Sequence, residues 1–230
     1  SAASDVYKRQ DQGEQAQQQS TLTYENDSVK VTAEAQEEGA LPQNTTLRAE
    51  SVNENSSVSY DTVSQKLAKA AEDKGSSLKG FVAYDVYFAD ADGNRVEPNG
   101  RVNVTIEYKT PAAPELTDAA STSVTAEKLH YNSNTGETEV TTLQPNEELK
   151  VLNVNESKQL QTLQVQTSNA AVFAVMWDAP EVQDAEDEIS VEAEEPAADG
   201  DFTDGDGTSD PEVTPVSYTH LRAHETLANL

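Results

Sequence analysis

Along residues 22–177 the apolar positions recur mostly at every second residue, the spacing of strands that bury one face. Val29, Val31, Ala33 and Ala35 alternate with Lys30, Thr32 and Glu34, and Val102, Val104, Ile106 and Tyr108 alternate with Asn103, Thr105 and Glu107. Phe81 to Ala89 is aromatic and β-branched, and further strands are predicted over 45–52, 128–131, 137–143, 148–154, 160–167 and 171–177. Turn chemistry separates them: Gly39-Ala40-Leu41-Pro42, Asp90-Ala91-Asp92-Gly93-Asn94, Pro98-Asn99-Gly100 and the hairpin loop Asn132 to Gly136. Residues 111–122 read as a loop. One stretch changes period. Val63, Leu67, Ala70 and Ala71 form the stripe of an amphipathic helix that Asp61 can cap and Gly75 stops. A helix this short is expected at a sheet edge or plugging one end of the core. About eight strands with frequent turns imply a mainly β protein, an Ig-like antiparallel β-sandwich with one short helix.

Composition divides the rest of the chain. A mean hydropathy of -0.69 and 35% hydrophobic residues indicate that part of it builds no core. Residues 11–20 are Gln-rich and aperiodic, a linker ahead of a sandwich module over 21–178. From Glu181 to Glu212 acidic residues mix with Pro, Ala and Gly and no Lys or Arg occurs, so residues 179–215 are expected to be a disordered acidic stalk. The net charge of -27 excludes nucleic acid as a partner, because a binder must neutralise phosphates with clustered Lys and Arg. It also argues against an anionic membrane surface, and no apolar run approaches the roughly 18–20 residues that cross a bilayer. Without cysteine there is neither a disulfide framework nor a thiolate zinc site.

The two ends carry an unusual relation. Asp5 to Gln10 can be encoded by GAT GTG TAT AAG AGA CAG, and the reverse complement of that string, read from its third base, encodes Val216-Ser217-Tyr218-Thr219-His220. Residues 1–10 and 216–230 therefore resemble translated mosaic-end adapters of transposon-based sequencing libraries, and the chain is expected to be a piece of a longer reading frame. Setting such scars aside removes Tyr7, His220, Arg222 and His224 from functional reasoning and leaves His130 as the one histidine to weigh.

Four segments in order carry a family resemblance: LTYENDSVKVTAEAQEEGALPQNTTLRAESV, FVAYDVYFADADGNRVEPNGRVNVTIEY, EKLHYNSNTGETEV and VFAVMW. Together they resemble a module of large wall-anchored surface proteins of Gram-positive, clostridial-type gut bacteria. The matching features are Tyr84-Asp85-Val86-Tyr87-Phe88, then Gly93 and Val96-Glu97-Pro98, then Leu129-His130-Tyr131. The closing strand departs from the family's Phe-Ser pattern with Val172-Phe173-Ala174. The resemblance implies an extracellular, cell wall-attached protein with an acidic stalk, often bearing a sortase signal of the Leu-Pro-x-Thr-Gly type. None stands before the adapter-like residues.

Candidate chemistry is sparse. His130 lies between Leu129 and Tyr131 in a strand and lacks the neighbouring partners of a catalytic base, so no enzyme activity is expected. Asp85, Asp90 and Asp92 are close enough in sequence to suggest paired carboxylates of a hydrolase, yet two of them sit in a turn. Counted as an EF-hand-like loop, Asp90, Asp92 and Asn94 take positions 1, 3 and 5, but Arg95 and Arg101 occupy the positions that need Gly and Glu. A second acidic loop places Asp204, Asp206 and Asp210 at positions 3, 5 and 9, which makes them the candidate ligands of a weak calcium site, although Phe202 and Val213 stand at positions 1 and 12. Sequons at Asn26, Asn44, Asn55, Asn103 and Asn155 read as compositional, and Tyr84, Tyr87, Phe88 and Tyr108 as core or cross-strand aromatics. The expected role is a non-catalytic spacer that presents neighbouring domains of the same polypeptide. The alternatives are an adhesin for a host glycoprotein or glycan and a carboxylate-dependent hydrolase.

Overall fold

The computed structural model describes residues 19–181. The acidic stalk expected beyond them, with the candidate calcium ligands Asp204, Asp206 and Asp210, lies outside the described residues, as do both adapter-like ends. The described chain folds as β1 (Thr21–Glu25), β2 (Val29–Ala35), β3 (Thr46–Ser51), α1 (Tyr60–Glu72), β4 (Ser76–Ala89), β5 (Arg95–Val96), β6 (Val102–Ala112), β7 (Ser123–Asn132), β8 (Glu137–Thr142), β9 (Leu149–Val154), β10 (Leu160–Thr167) and β11 (Ala171–Pro180). It is mainly β, an Ig-like sandwich of two antiparallel sheets with one helix. Sheet order is β1-β2-β6-β10-β9 in one layer and β3-β4-β11-β7-β8 in the other, with β5 paired to β4.

The first sheet behaves as its alternation predicts. Val29, Val31, Ala33, Val102, Val104, Ile106, Leu163 and Val165 point into the sandwich and are buried. Its outer face is a polar ladder in which Gln164 donates to Thr105 and Gln166 to Asn103. Such a sheet needs only one covered face.

The second sheet is covered on both faces. In β11, Ala171, Phe173, Val175 and Trp177 enter the core between the sheets, while Val172, Ala174 and Met176 face the opposite way and are equally buried. Helix α1 covers that outer face, packing Val63, Leu67 and Ala71 against Ala83, Leu129, Val172, Ala174 and Met176. The expectation of a helix at a sheet edge or at one end of the sandwich is therefore corrected. The paired alanines Ala83 and Ala174 leave room for a helix over the middle of the sheet, and an unbroken apolar run such as β11 is what a doubly covered strand requires.

Local details differ from expectation for identifiable reasons. Ser59, not Asp61, caps α1: its backbone is extended and its side chain accepts from the Thr62 N–H at 3.3 Å. Asp61 lies in the first turn, where its charge suits the helix dipole. Gly75, with φ of 75°, ends the helical segment in a left-handed conformation and leads directly into β4. That strand begins before the apolar stretch, at Ser76, because its polar start pairs with Asp178 to Pro180. Gly80 must lack a side chain there, since a Cβ would come within 2.4 Å of Pro114. Strand β6 runs on to Ala112 through residues expected to begin the loop, held by pairing with Leu160. The described residues contain eleven strands rather than about eight, the additions including the two-residue β5.

The pairings also fix where the chain enters and leaves. Thr21 pairs with Glu34, Ala35 with Val102 and Val102 with Thr167, so β1 starts at the pole occupied by the β10–β11 turn. Strand β11 runs away from that pole. Near its far end the Trp177 indole N–H donates to the Lys158 carbonyl in the β9–β10 turn, 2.8 Å away at the opposite end of the first sheet. The chain thus enters at one pole and leaves at the other.

Two buried side-chain oxygens are unmatched among the described residues, the Tyr108 hydroxyl and Asp178 Oδ1. The Tyr108 hydroxyl has no hydrogen-bond partner among the described residues, and its ring lies edge-on to Tyr84 at 5.9 Å. Burial pushes its ionisation well above the ordinary tyrosine range. The native state therefore holds this proton where the unfolded chain releases it, so the stability linked to Tyr108 is complete below about pH 10 and declines as pH rises further. Tyr108→Phe is expected to leave stability at neutral pH unchanged or raise it by up to about 1 kcal/mol, and to lessen the alkaline decline. Urea titrations at neutral and alkaline pH decide it; a neutral-pH loss above about 1 kcal/mol would show that the hydroxyl is satisfied after all.

Candidate functional site

A cleft of about 410 Å³ opens on the outer face of the second sheet, beside the first turns of α1. Its floor is apolar, formed by Val58, Val63, Leu129 and Val172, and its rim carries Asp85, Arg95, Glu97, His130, Tyr131 and Thr138. These groups come from β4, the β4–β5 hairpin and its continuation, β7 and β8, and only the sheet order brings them together.

The hairpin positions Arg95. Asp90 organises the turn by accepting from the backbone N–H groups of Asp92 and Asn94 at 2.9 and 2.8 Å, and Gly93 takes the φ of 85° that the reversal needs. Arg95 then reaches back over Tyr87, its guanidinium 4.1 Å from the ring centre, and donates both terminal nitrogens to Asp85 at 2.8 and 2.7 Å. Asp85 is only 2% exposed. The hydrogen-bonded Asp85 carboxylate holds the Arg95 guanidinium above its already high ordinary value.

Two further rim groups are tied to the β10–β11 turn. Glu97 accepts from the Ala170 N–H at 2.6 Å, and His130 Nδ1 lies 3.2 Å from the Ala170 carbonyl. A carbonyl only accepts, so Nδ1 carries the proton in this arrangement. Tyr131 projects into solvent at 61% exposure. The cleft thus offers an aromatic face, a half-exposed guanidinium and a carboxylate around an apolar floor, a set suited to recognising a small polar ligand.

The candidate site residues that fall among the described residues have definite places. His130 and Asp85 do share this cleft, but His130 bonds to a backbone carbonyl and both oxygens of Asp85 are taken by Arg95. Asp90 serves its own turn and Asp92 is exposed. Among the described residues no group of three or more His, Asp or Glu is arranged to hold a metal ion. Tyr84 and Phe88 belong to the inner core, and Tyr87 lies beneath Arg95. Among the sequons, Asn26 and Asn155 build turns, accepting backbone N–H groups from Val29 and Gln159.

Another buried acid was not foreseen. Glu127 on β7 is fully buried and is met by Lys74 at 2.9 Å and by the hydroxyls of Thr125 and Thr142 at 3.1 and 2.8 Å. It anchors the segment after α1 to the sheet. Sequence offered no direct signal for it, because its countercharge Lys74 and the Thr142 hydroxyl lie 53 and 15 residues away. A second cleft, about 490 Å³, lies between the loop from Glu115 to Thr122, Lys79 and Ala179-Pro180. None of the helices among the described residues is long and apolar enough to cross a membrane. No protein-family model matches the chain, and no curated protein matches its sequence.

Proposed function

We propose that residues 21–178 are a non-catalytic structural and presentation module of an exported, wall-attached bacterial surface protein: a folded spacer which, with the acidic sequence after it as a stalk, holds neighbouring domains of the same polypeptide away from the cell. The observation that carries this reading is that the chain enters and leaves at opposite poles through strands pulled along their own axes. A load applied between the two ends would draw β1 against β2, and β11 against both β4 and β7. Antiparallel hydrogen bonds lie perpendicular to the strands, so such a load strains many of them together instead of opening them one by one. The likeness of the four sequence segments to wall-anchored surface proteins points the same way.

The test is single-molecule pulling. The chain has no cysteine, so attachment points can be introduced singly. Pulling between the two ends is expected to rupture the fold at several-fold higher force than pulling between Ser121→Cys and Gln144→Cys, which loads β7 and β8 from one end and unzips them. Equal forces in the two geometries would remove the mechanical argument.

The rim of the cleft favours a second reading, an adhesin that takes a host glycan or glycoprotein through Tyr131 and Arg95. Specific retention of the full chain on mucin or a glycan array, abolished by Tyr131→Ala, would move the assignment there. Uniform lack of binding supports the spacer.

A further inference from the structure

We infer that Asn99 is a site of spontaneous deamidation, at which the Gly100 backbone nitrogen displaces ammonia from the carboxamide and the resulting carboxylate loosens the clasp between residues 36–41 and the start of β6. Asn99 is the single asparagine in the chain that precedes a glycine. Without a Cβ, the glycine leaves its own nitrogen open to approach a neighbouring carboxamide. The fold keeps a glycine at this point because the space is taken. A Cβ at Gly100 would come within 2.6 Å of Glu37 Oε1, the oxygen that accepts the Arg101 N–H at 2.9 Å.

Hydrogen bonding separates Asn99 from the other asparagines. Asn26, Asn53, Asn132 and Asn155 each use Oδ1 to accept the backbone N–H two residues on, a turn that fixes the carboxamide. Asn169 Oδ1 accepts from Lys128 Nζ at 3.1 Å. Asn99 is exposed, its Oδ1 takes no hydrogen bond among the described residues, and its side chain is held only by Nδ2, which donates to the Gly39 carbonyl at 3.2 Å. The Gly100 N–H likewise donates to no partner among the described residues, while the N–H groups before and after it are engaged by the Ala40 carbonyl and Glu37. Nucleophile and electrophile are thus both free, in adjacent residues.

The net reaction consumes one water and releases one ammonia. Hydroxide takes the Gly100 N–H proton, the nitrogen attacks Asn99 Cγ, and the amide nitrogen takes a proton from water and leaves. The bond formed is Gly100 N–Cγ and the bond broken is Cγ–Nδ2, which gives a cyclic succinimide. Water then opens the ring. Opening at the former side-chain carbonyl leaves an aspartate, and opening at the backbone carbonyl leaves an isoaspartate whose main chain runs through the former side chain. Either product puts a carboxylate where an amide donated to Gly39, so it faces a carbonyl it cannot bond, in the loop that also carries Glu37 and Glu38. The isoaspartate also lengthens the main chain just ahead of Val102, which pairs with both Ala35 and Thr167. The change therefore loosens the pole at which the chain enters, whatever role the module plays.

Incubating the full chain at neutral and at mildly alkaline pH and following it by mass spectrometry tests this. Trypsin releases residues 96–101 as a peptide in which Asn99 is the only asparagine. That peptide is expected to gain the mass difference between an acid and an amide before any other asparagine-containing peptide, faster at the higher pH, and to split into aspartyl and isoaspartyl forms. Asn99→Gln should abolish the conversion while circular dichroism shows the β fold retained. Asn99→Asp, which installs the product charge at once, should lower the urea midpoint; an unchanged midpoint would overturn the loosening of the clasp. The whole inference is overturned if the peptide stays unmodified in the folded protein under conditions that convert it in the urea-unfolded chain. Deamidation that appears first at another asparagine, such as Asn132 in the β7–β8 hairpin loop, equally overturns it.

Discussion

Trp177→Ala is expected to destabilise the fold by about 3–5 kcal/mol, the range for removing a large aromatic side chain from a packed core. Trp177 is fully buried in the cluster between the sheets, and it is the single tryptophan in the chain. The side chain does two things at once. It fills the core at the pole where β11 leaves, and its indole N–H bonds the Lys158 carbonyl, linking the second sheet to the β9–β10 turn of the first. Alanine would leave a cavity and strand that carbonyl, whereas Trp177→Phe keeps most of the packing and should cost much less. Against a total of about 5–15 kcal/mol for a domain, the alanine variant loses a large share of its stability. Urea denaturation followed by circular dichroism measures it, since the variant no longer carries the fluorophore. A loss under about 1 kcal/mol would mean that Trp177 is not a keystone of the core.

Arg95→Ala is expected to cost about 2–3 kcal/mol. The carboxylate it abandons is 2% exposed and would keep only its burial, having lost two charge-assisted hydrogen bonds. The figure lies below the full range for breaking a buried pair because the Arg95 side chain is 48% exposed, so water already screens part of the attraction. Stacking on Tyr87 adds a smaller loss. Replacing both partners, Asp85→Val with Arg95→Val, should recover most of the stability, because the cost comes from an orphaned charge and not from missing polarity. A double-mutant cycle in denaturant separates the two effects. Simple additivity of the single losses would show that Asp85 and Arg95 do not act as a pair.

Both predictions rest on residues whose roles were only half visible in the sequence. Val102, Val104 and Ile106 announce their strand and the face they bury, because alternation is local and the inner face of the first sheet has one neighbour. The apolar run from Ala171 to Trp177 also announces a strand, but not that a helix covers its second face. Asp85 reads as an acid in the middle of a strand, with nothing to say that a turn ten residues on returns an arginine to it. His130 reads as solitary, although its nearest polar partner, Ala170, lies forty residues away.

The sequence by itself determined most of the local structure: the segments that form every strand among the described residues except β1 and β5, most of the turns, and where the amphipathic helix falls. Those features depend on side-chain period and on backbone preferences within a few residues. Tertiary structure alone decided the order of strands in the two sheets, the seat of α1 on the outer face, and the meetings of Asp85 with Arg95, Glu127 with Lys74 and Lys128 with Asn169. Such contacts join residues remote in sequence, and many strand orders bury the same alternating faces. The order realised here is the one that also gives Asp85 and Glu127 their countercharges and Lys128 its amide partner.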